Sequence, residues 1–403
     1  MKRVLTCLLF TAILCSVITK FYAQDKDTLE KEGYRFTVIK EVKTTPVKDQ
    51  YRSGTCWSFA SLALLESELL RMGKGEFDLS EMFVVRKSYE DKAVKYVRMH
   101  GSLNFGGGGA LNDALNVLDK YGMVTEEAYS GMVIGEEKHI HGEMDGAVKA
   151  YLDDIIENRN KKLTPVWYTG FEGLMDAYLG KLPEKFEYNE KQYSPRTFAD
   201  QVLELKTEDY ILVSSYTHHP FYKKFILEVP DNWSWGEVYN VAMEDLITII
   251  DHAINNGYTV AWAGDVSEKG FSWKDGVAVI PEKDIENMSD LERAKWDDLS
   301  QKEKDELLYT FEKPGKEKTI TQALRQQEFD NYDTGDDHGL QITGIATDQN
   351  GNKYYLMKNS WNTTDSKYNG YLYMSETYLR FKTMSMMVNK NCLSKEMRNN
   401  LCI

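Results

Sequence analysis

Thr45-Pro46-Val47-Lys48-Asp49-Gln50-Tyr51-Arg52-Ser53-Gly54-Thr55-Cys56-Trp57-Ser58-Phe59-Ala60 sets a glutamine six residues before a cysteine, and sets that cysteine where a helix begins. Trp57, Phe59, Ala60, Leu62, Leu64, Leu65, Leu69 and Leu70 follow at close to helical period, which predicts a buried helix over 57–72 ending at Gly73 or Gly75. A thiol in the first turn of such a helix sits at the positive end of the backbone dipole, which favours the nucleophilic thiolate. Gln50 can offer a side-chain N–H to an oxyanion formed at the same place. Alone, a cysteine on an apolar helix is most simply a buried structural thiol. The chemical reading of Cys56 depends on partners elsewhere in the chain.

Thiol chemistry needs a base, and the base needs a group that holds its ring. His338 lies in Asp336-Asp337-His338-Gly339-Leu340-Gln341-Ile342-Thr343-Gly344-Ile345-Ala346, and Asn359 in Tyr354-Tyr355-Leu356-Met357-Lys358-Asn359-Ser360-Trp361-Asn362. Strands are predicted over 340–348 and 353–358, joined by the turn Asn350-Gly351-Asn352. That hairpin brings His338 and Asn359 to one end, where Asn359 accepts from the imidazole and Trp361 shields the bond from water.

These segments resemble the papain-like cysteine peptidases. Thr45–Ala60 is similar to the family's segment around its oxyanion glutamine and nucleophile, Asp337–Ile345 to its histidine segment, and Lys358–Asn362 to its asparagine segment. The resemblance implies that Cys56 is the nucleophile, His338 the general base and acid, Asn359 the group orienting it, and Gln50 the oxyanion donor with the Cys56 backbone N–H. Asn104–Gly109 resembles the glycine wall of the substrate cleft, so Gly107 and Gly108, with Trp361, are assigned to substrate binding. It implies an α+β papain-like fold of two lobes, peptide substrates and no cofactor or metal. Within the superfamily the chain is more similar to the bleomycin hydrolase and aminopeptidase C branch. Ser53 stands where the secreted endopeptidases have a disulfide cysteine, little chain precedes Gln50, and more than 200 residues separate Gly109 from His338. The branch lays its C-terminal arm in the cleft, trims peptides from the N-terminus and is often hexameric. Asn362 departs from the family's glycine after the tryptophan. The alternatives are an endopeptidase or dipeptidase with an open cleft, and a catalytically silent peptide-binding homologue.

The rest of the sequence bounds this reading. A chain of 403 residues with 25 Tyr and 8 Pro is long enough for a large core. Its net charge of −14 argues against nucleic acid and anionic membranes as partners. Residues 1–23, with Lys2, Arg3 and an apolar stretch over 4–18, predict a signal peptide too short to span a bilayer, hence export to the periplasm or exterior. Cys56, Cys392 and Cys402 then remain; the last two are either paired or bland. The expected layout is a mixed-charge extension (24–40), a helical lobe (about 41–130), a mostly helical insertion (about 131–209 and 282–318), a strand-rich, barrel-like lobe (about 210–281 and 335–389) and a tail (390–403). His139/His141 and His218/His219 lack the further His or Cys of a clear metal site. Asp265 is a turn carboxylate, and the glycine run lacks the Lys-Ser/Thr pair of a phosphate loop.

Overall fold

The computed structural model describes residues 33–403; the expected leader, residues 1–23, lies outside them. Three helices come early: α1 (Cys56–Arg71), close to its predicted position, α2 (Glu81–Arg98) and α3 (Asn112–Tyr121). Ser80 caps α2, its hydroxyl accepting from the Phe83 N–H. α1 is buried on nearly every side, because helices cover one face and a sheet the other. α4 (Gly142–Ile156), α5 (Val166–Leu179) and the short α6 (Pro195–Phe198) extend the helical half. A hairpin of β2 (Phe186–Tyr188) and β3 (Lys191–Tyr193), not foreseen, interrupts them.

The later half supplies most of one large sheet. Its strands are β4 (Tyr210–Ser214), β5 (Lys224–Ile226), β6 (Glu237–Asn240), β7 (Val260–Gly264), β8 (Phe271–Ser272), β9 (Val277–Ala278), β10 (His338–Asp348), β11 (Lys353–Lys358), β12 (Tyr371–Ser375) and β13 (Thr383–Asn389). The order is β5-β6-β4-β13-β7-β10-β11-β12-β9-β8. β10 pairs β7 through His338–Ile342, and its later half pairs β1 (Phe36–Glu41). Residues 36–41, expected to be an extension, are thus an edge strand. Period two divides β10 between two cores: Leu340 and Ile342 join the cluster under α7 (Met243–Asn255), while Gly339 and Gln341 turn to α1. The charged stretch 282–318 is helical only in α8 (Asp290–Asp297) and α9 (Gln301–Leu308).

The chain's end lies far from the start of α1. β13 begins at Thr383, opposite Gly264, which in turn faces His338; it ends at Asn389, opposite Tyr210. Six residues of strand separate those ends by about 20 Å. Asn389 Nδ2 donates to Glu68 near the far end of α1 (3.1 Å), and α12 (Lys395–Leu401) leads on to Ile403 beside Tyr210 and Tyr239. Cys392, buried, and Cys402, exposed, are free thiols.

One buried cation locks the sheet to its last helices. Arg325 of α10 (Gln322–Asp330) donates to the Ser215, Arg380, Phe381 and Thr383 carbonyls, closing the C-terminal end of α11 (Glu376–Lys382). Arg325→Met takes that donor from the Arg380, Phe381 and Thr383 carbonyls, while Ser215 keeps Gln322 Nε2 (3.4 Å). At about 1–3 kcal/mol for each unsatisfied buried group, it is expected to cost at least about 3 kcal/mol, read from the denaturant midpoint.

Candidate functional site

Each candidate residue is set by a different element. Cys56 opens α1 and is partly exposed. The Gly339 and Trp57 backbone N–H groups face its sulfur, which puts the sulfur within one peptide of His338. Room for this is made by Gly339: a Cβ there would lie 3.1 Å from the Cys56 carbonyl oxygen and 3.2 Å from the Ala60 Cβ. Gln341 fastens the same strand to α1, its Nε2 lying 2.9 Å from the Ala63 carbonyl and 2.8 Å from Ser67 Oγ.

His338 Nε2 is 2.7 Å from Asn359 Oδ1. The Ser360 N–H also donates to Asn359 Oδ1 (2.7 Å), so the oxygen end of that amide is identified. Nε2 must therefore carry the proton and donate, which leaves Nδ1 as the proton acceptor of the neutral ring. Trp361 lies over the imidazole at 4.7 Å between centroids and 29° between planes, backed by Phe271 and Trp273.

Gln50 is buried on the lead-in segment, its N–H donating to the Ser360 carbonyl (2.8 Å). Ser360 Oγ donates to Gln50 Oε1 at 2.6 Å, which turns the Nε2 end free for a ligand. Ser360 belongs to the asparagine segment, but its neighbours in sequence do not reveal this role. Lys48 anchors the lead-in segment, reaching Glu66 and Glu81 at 2.8 Å each. Gly107, expected with Gly108 in the cleft wall, packs against the loop that leads to Cys56. The Gly107 carbonyl accepts from Trp57 Nε1 (2.9 Å), and a Cβ on Gly107 would meet the Ser53 carbonyl at 2.9 Å. Behind the wall, Lys92 Nζ donates to the Gly106 and Gly108 carbonyls.

Burial controls the electrostatics. It pushes the Cys56 thiol up to about 12, against the help of the Gly339 and Trp57 N–H groups; the charges of Asp336 and Asp231 add to the rise. Burial also holds His338 down to about 4, partly offset by Asn359. Both shifts favour a neutral thiol beside a neutral imidazole at rest. Asp336 is itself held up to about 7 by burial and by Asp231 and Asp337.

The other candidates are accounted for. Asp265 is a turn carboxylate, accepting from the Ser267 and Gly335 N–H groups. His218 and His219 converge on Glu228 at 3.1 and 2.9 Å, a trio of metal-ligating type whose third member the sequence did not suggest. Gln326 Oε1 accepts from the Thr217 N–H, so its Nε2 donates to His218 Nδ1 (3.0 Å). His218 Nε2 is then protonated and donates to Glu228, the opposite of what a metal ligand requires.

The pattern of the family described as Papain family cysteine protease matches residues 35–164 and 316–391, about half of the chain, and the chain belongs to that family. It is similar to Aminopeptidase C of Listeria innocua, at 23% identity over 401 residues covering 89% of this chain and 83% of that one. Aminopeptidase G of Lactobacillus delbrueckii is 21% identical, covering 88% and 83%. The fold is similar to that of PepW from Lactobacillus rhamnosis HN001, with a TM-score of 0.67 and 16% identity over 91% of this chain and 84% of that one.

Two tests address this geometry. Ser360→Ala releases Gln50 Oε1 and lets the amide turn. A loss of roughly tenfold in kcat with little change in KM is expected, below the 10²–10³ of losing an oxyanion donor outright. Asp336→Asn removes a negative charge near Cys56. Iodoacetamide should then alkylate Cys56 several-fold faster above about pH 7, and the difference should vanish at lower pH, where Asp336 is protonated in the parent.

Proposed function

We propose that this protein hydrolyses peptide bonds with Cys56 as nucleophile and removes residues from the N-terminus of peptides. The observation that carries the chemistry is the fixed Asn359 amide, which makes Nδ1 of His338 the acceptor. His338 Nδ1 takes the Cys56 proton as the sulfur adds to the scissile carbonyl carbon. The oxyanion accepts from Gln50 Nε2 and from the Cys56 backbone N–H, which as a first-turn amide has no helical partner. The imidazolium returns its proton to the departing amine as the C–N bond breaks, leaving a thioester. Water, deprotonated by His338, adds to the thioester; collapse expels the thiolate, which regains the proton. Asn359 holds the ring throughout, and Trp361 keeps water from their bond.

N-terminal trimming is supported by the names of the aminopeptidase relatives, matched over most of their length. One observation favours a second reading, internal cleavage: residues 389–403 lie toward the far side of the sheet, away from the start of α1, rather than in the groove. Hydrolysis of free and N-acetylated forms of one peptide separates the two. Trimming predicts that the blocked form is rejected; comparable rates on both would favour internal cleavage. Cys56→Ala should abolish turnover of either, and a thiol-directed epoxide should label Cys56 in the parent. Absence of both labelling and turnover would leave a silent binding homologue.

A further inference from the structure

The segment 227–236 lies outside the part of the chain matched by the family pattern, yet it reaches the cleft wall. It is braced on itself: Asn232 Nδ2 donates to the Leu227 and Gly236 carbonyls (2.9 and 3.0 Å), and the Gly236 N–H donates back to Asn232 Oδ1 (2.8 Å). It is also docked on the start of α3. Trp233 Nε1 donates to Asp113 (2.7 Å) and Asn112 Nδ2 to Ser234 Oγ (2.9 Å). Such a loop holds its side chains in fixed positions.

Asp231 is the residue it presents. A Cβ on Gly108 would overlap both oxygens of the Asp231 carboxylate, so the carboxylate lies directly on the glycine wall. Asn104 Nδ2 donates to Asp231 Oδ1 (2.7 Å); Oδ2 has no hydrogen-bond partner among the described residues, and no basic side chain forms an ion pair with it. Lys92 is near, but its ammonium is engaged by the Gly106 and Gly108 carbonyls. Gly107, the adjacent wall residue, touches the loop that carries Cys56. A rigid, half-satisfied carboxylate thus stands one residue along the wall from the nucleophile's loop. Its charge is felt at the thiol.

We propose that Asp231 receives the free α-ammonium group of the substrate, so that peptides enter the cleft by their N-terminal end. The proposal rests on the aminopeptidase reading and names the device behind it. Residues 389–403 lie away from the start of α1, and Asp231 offers a complementary charge and an open acceptor on the wall itself. An N-acylated peptide brings no cation and leaves the carboxylate unpaired in a partly buried place.

The test uses the full chain, with active enzyme counted by epoxide labelling of Cys56. The substrates are an aminoacyl amide, its N-acetyl derivative and a des-amino analogue with hydrogen in place of the amine. Asp231→Asn keeps the shape and should lower kcat/KM for the free-amine substrate roughly 10- to 100-fold, mainly through KM. The acetylated substrate should be unaffected or improved, so the preference collapses. The parent should turn over the des-amino analogue about as poorly as Asp231→Asn turns over the free amine, a comparison that also uses the unmodified protein. Retention of the free-amine preference by Asp231→Asn, or an equal loss on all three substrates, would overturn the assignment and leave N-terminal trimming intact. A parent enzyme with no preference would overturn both.

Discussion

The cleft depends on how closely β10 approaches the first turn of α1. At Gly339 the strand comes so near that a single methyl group would press on the Cys56 carbonyl and on Ala60. Interiors packed to this density cannot absorb an added carbon without backbone movement. The closeness is what brings a strand residue and a helix residue, far apart in sequence, side by side. Gln341, two residues on and on the same side of the strand, spans the contact with hydrogen bonds to α1 and to Thr259. Thiol and imidazole are therefore positioned by backbone approach, and the carboxamides of Asn359 and Gln50 are positioned from them through Ser360, whose N–H serves one and whose hydroxyl serves the other.

The electrostatic balance differs from the one the helix alone suggests. A first-turn cysteine gains the field of the helix end, typically 0.3–1 kcal/mol and up to about 2 in buried settings. Full burial shifts ionisable groups by several pKa units, a larger effect. Here burial wins at both partners, raising the thiol and lowering the imidazole. In the proposed reaction the proton would then move from sulfur to Nδ1 as the carbonyl is attacked, when the negative charge passes on to the oxyanion and its two donors.

Much of this was legible because its signals are local. The cysteine at a helix start and the hairpin turn at Asn350-Gly351 are both written in adjacent residues, and the structure reproduces them within a residue or two. The parts that escaped are those defined only by closure of the chain. β1 has mostly exposed residues and finds its partner, β10, some 300 positions later, so no periodicity marks it. Asp231 sits in Pro230-Asp231-Asn232-Trp233-Ser234, which has neither a strand nor a helix pattern; its meaning appears only when Gly108 is beneath it. Ser360 was in view as part of a motif, but which amide its hydroxyl would hold depends on a contact with Gln50, 310 residues away.

The acidic groups around the sulfur carry a cost that the assignment of Asp231 turns into a control. Burial above all, and then the charges of Asp336 and Asp231, disfavour thiolate, so the empty cleft favours the protonated cysteine. A cation bound at Asp231 cancels part of that field, since opposite charges a few ångströms apart compensate most strongly where water is scarce. The arriving ammonium would thereby ease ionisation of the thiol that is to attack the same molecule. A blocked peptide supplies no such compensation and meets a sulfur still held as thiol. Selection for the free N-terminus then acts twice through one carboxylate, first on binding and then on the readiness of the nucleophile.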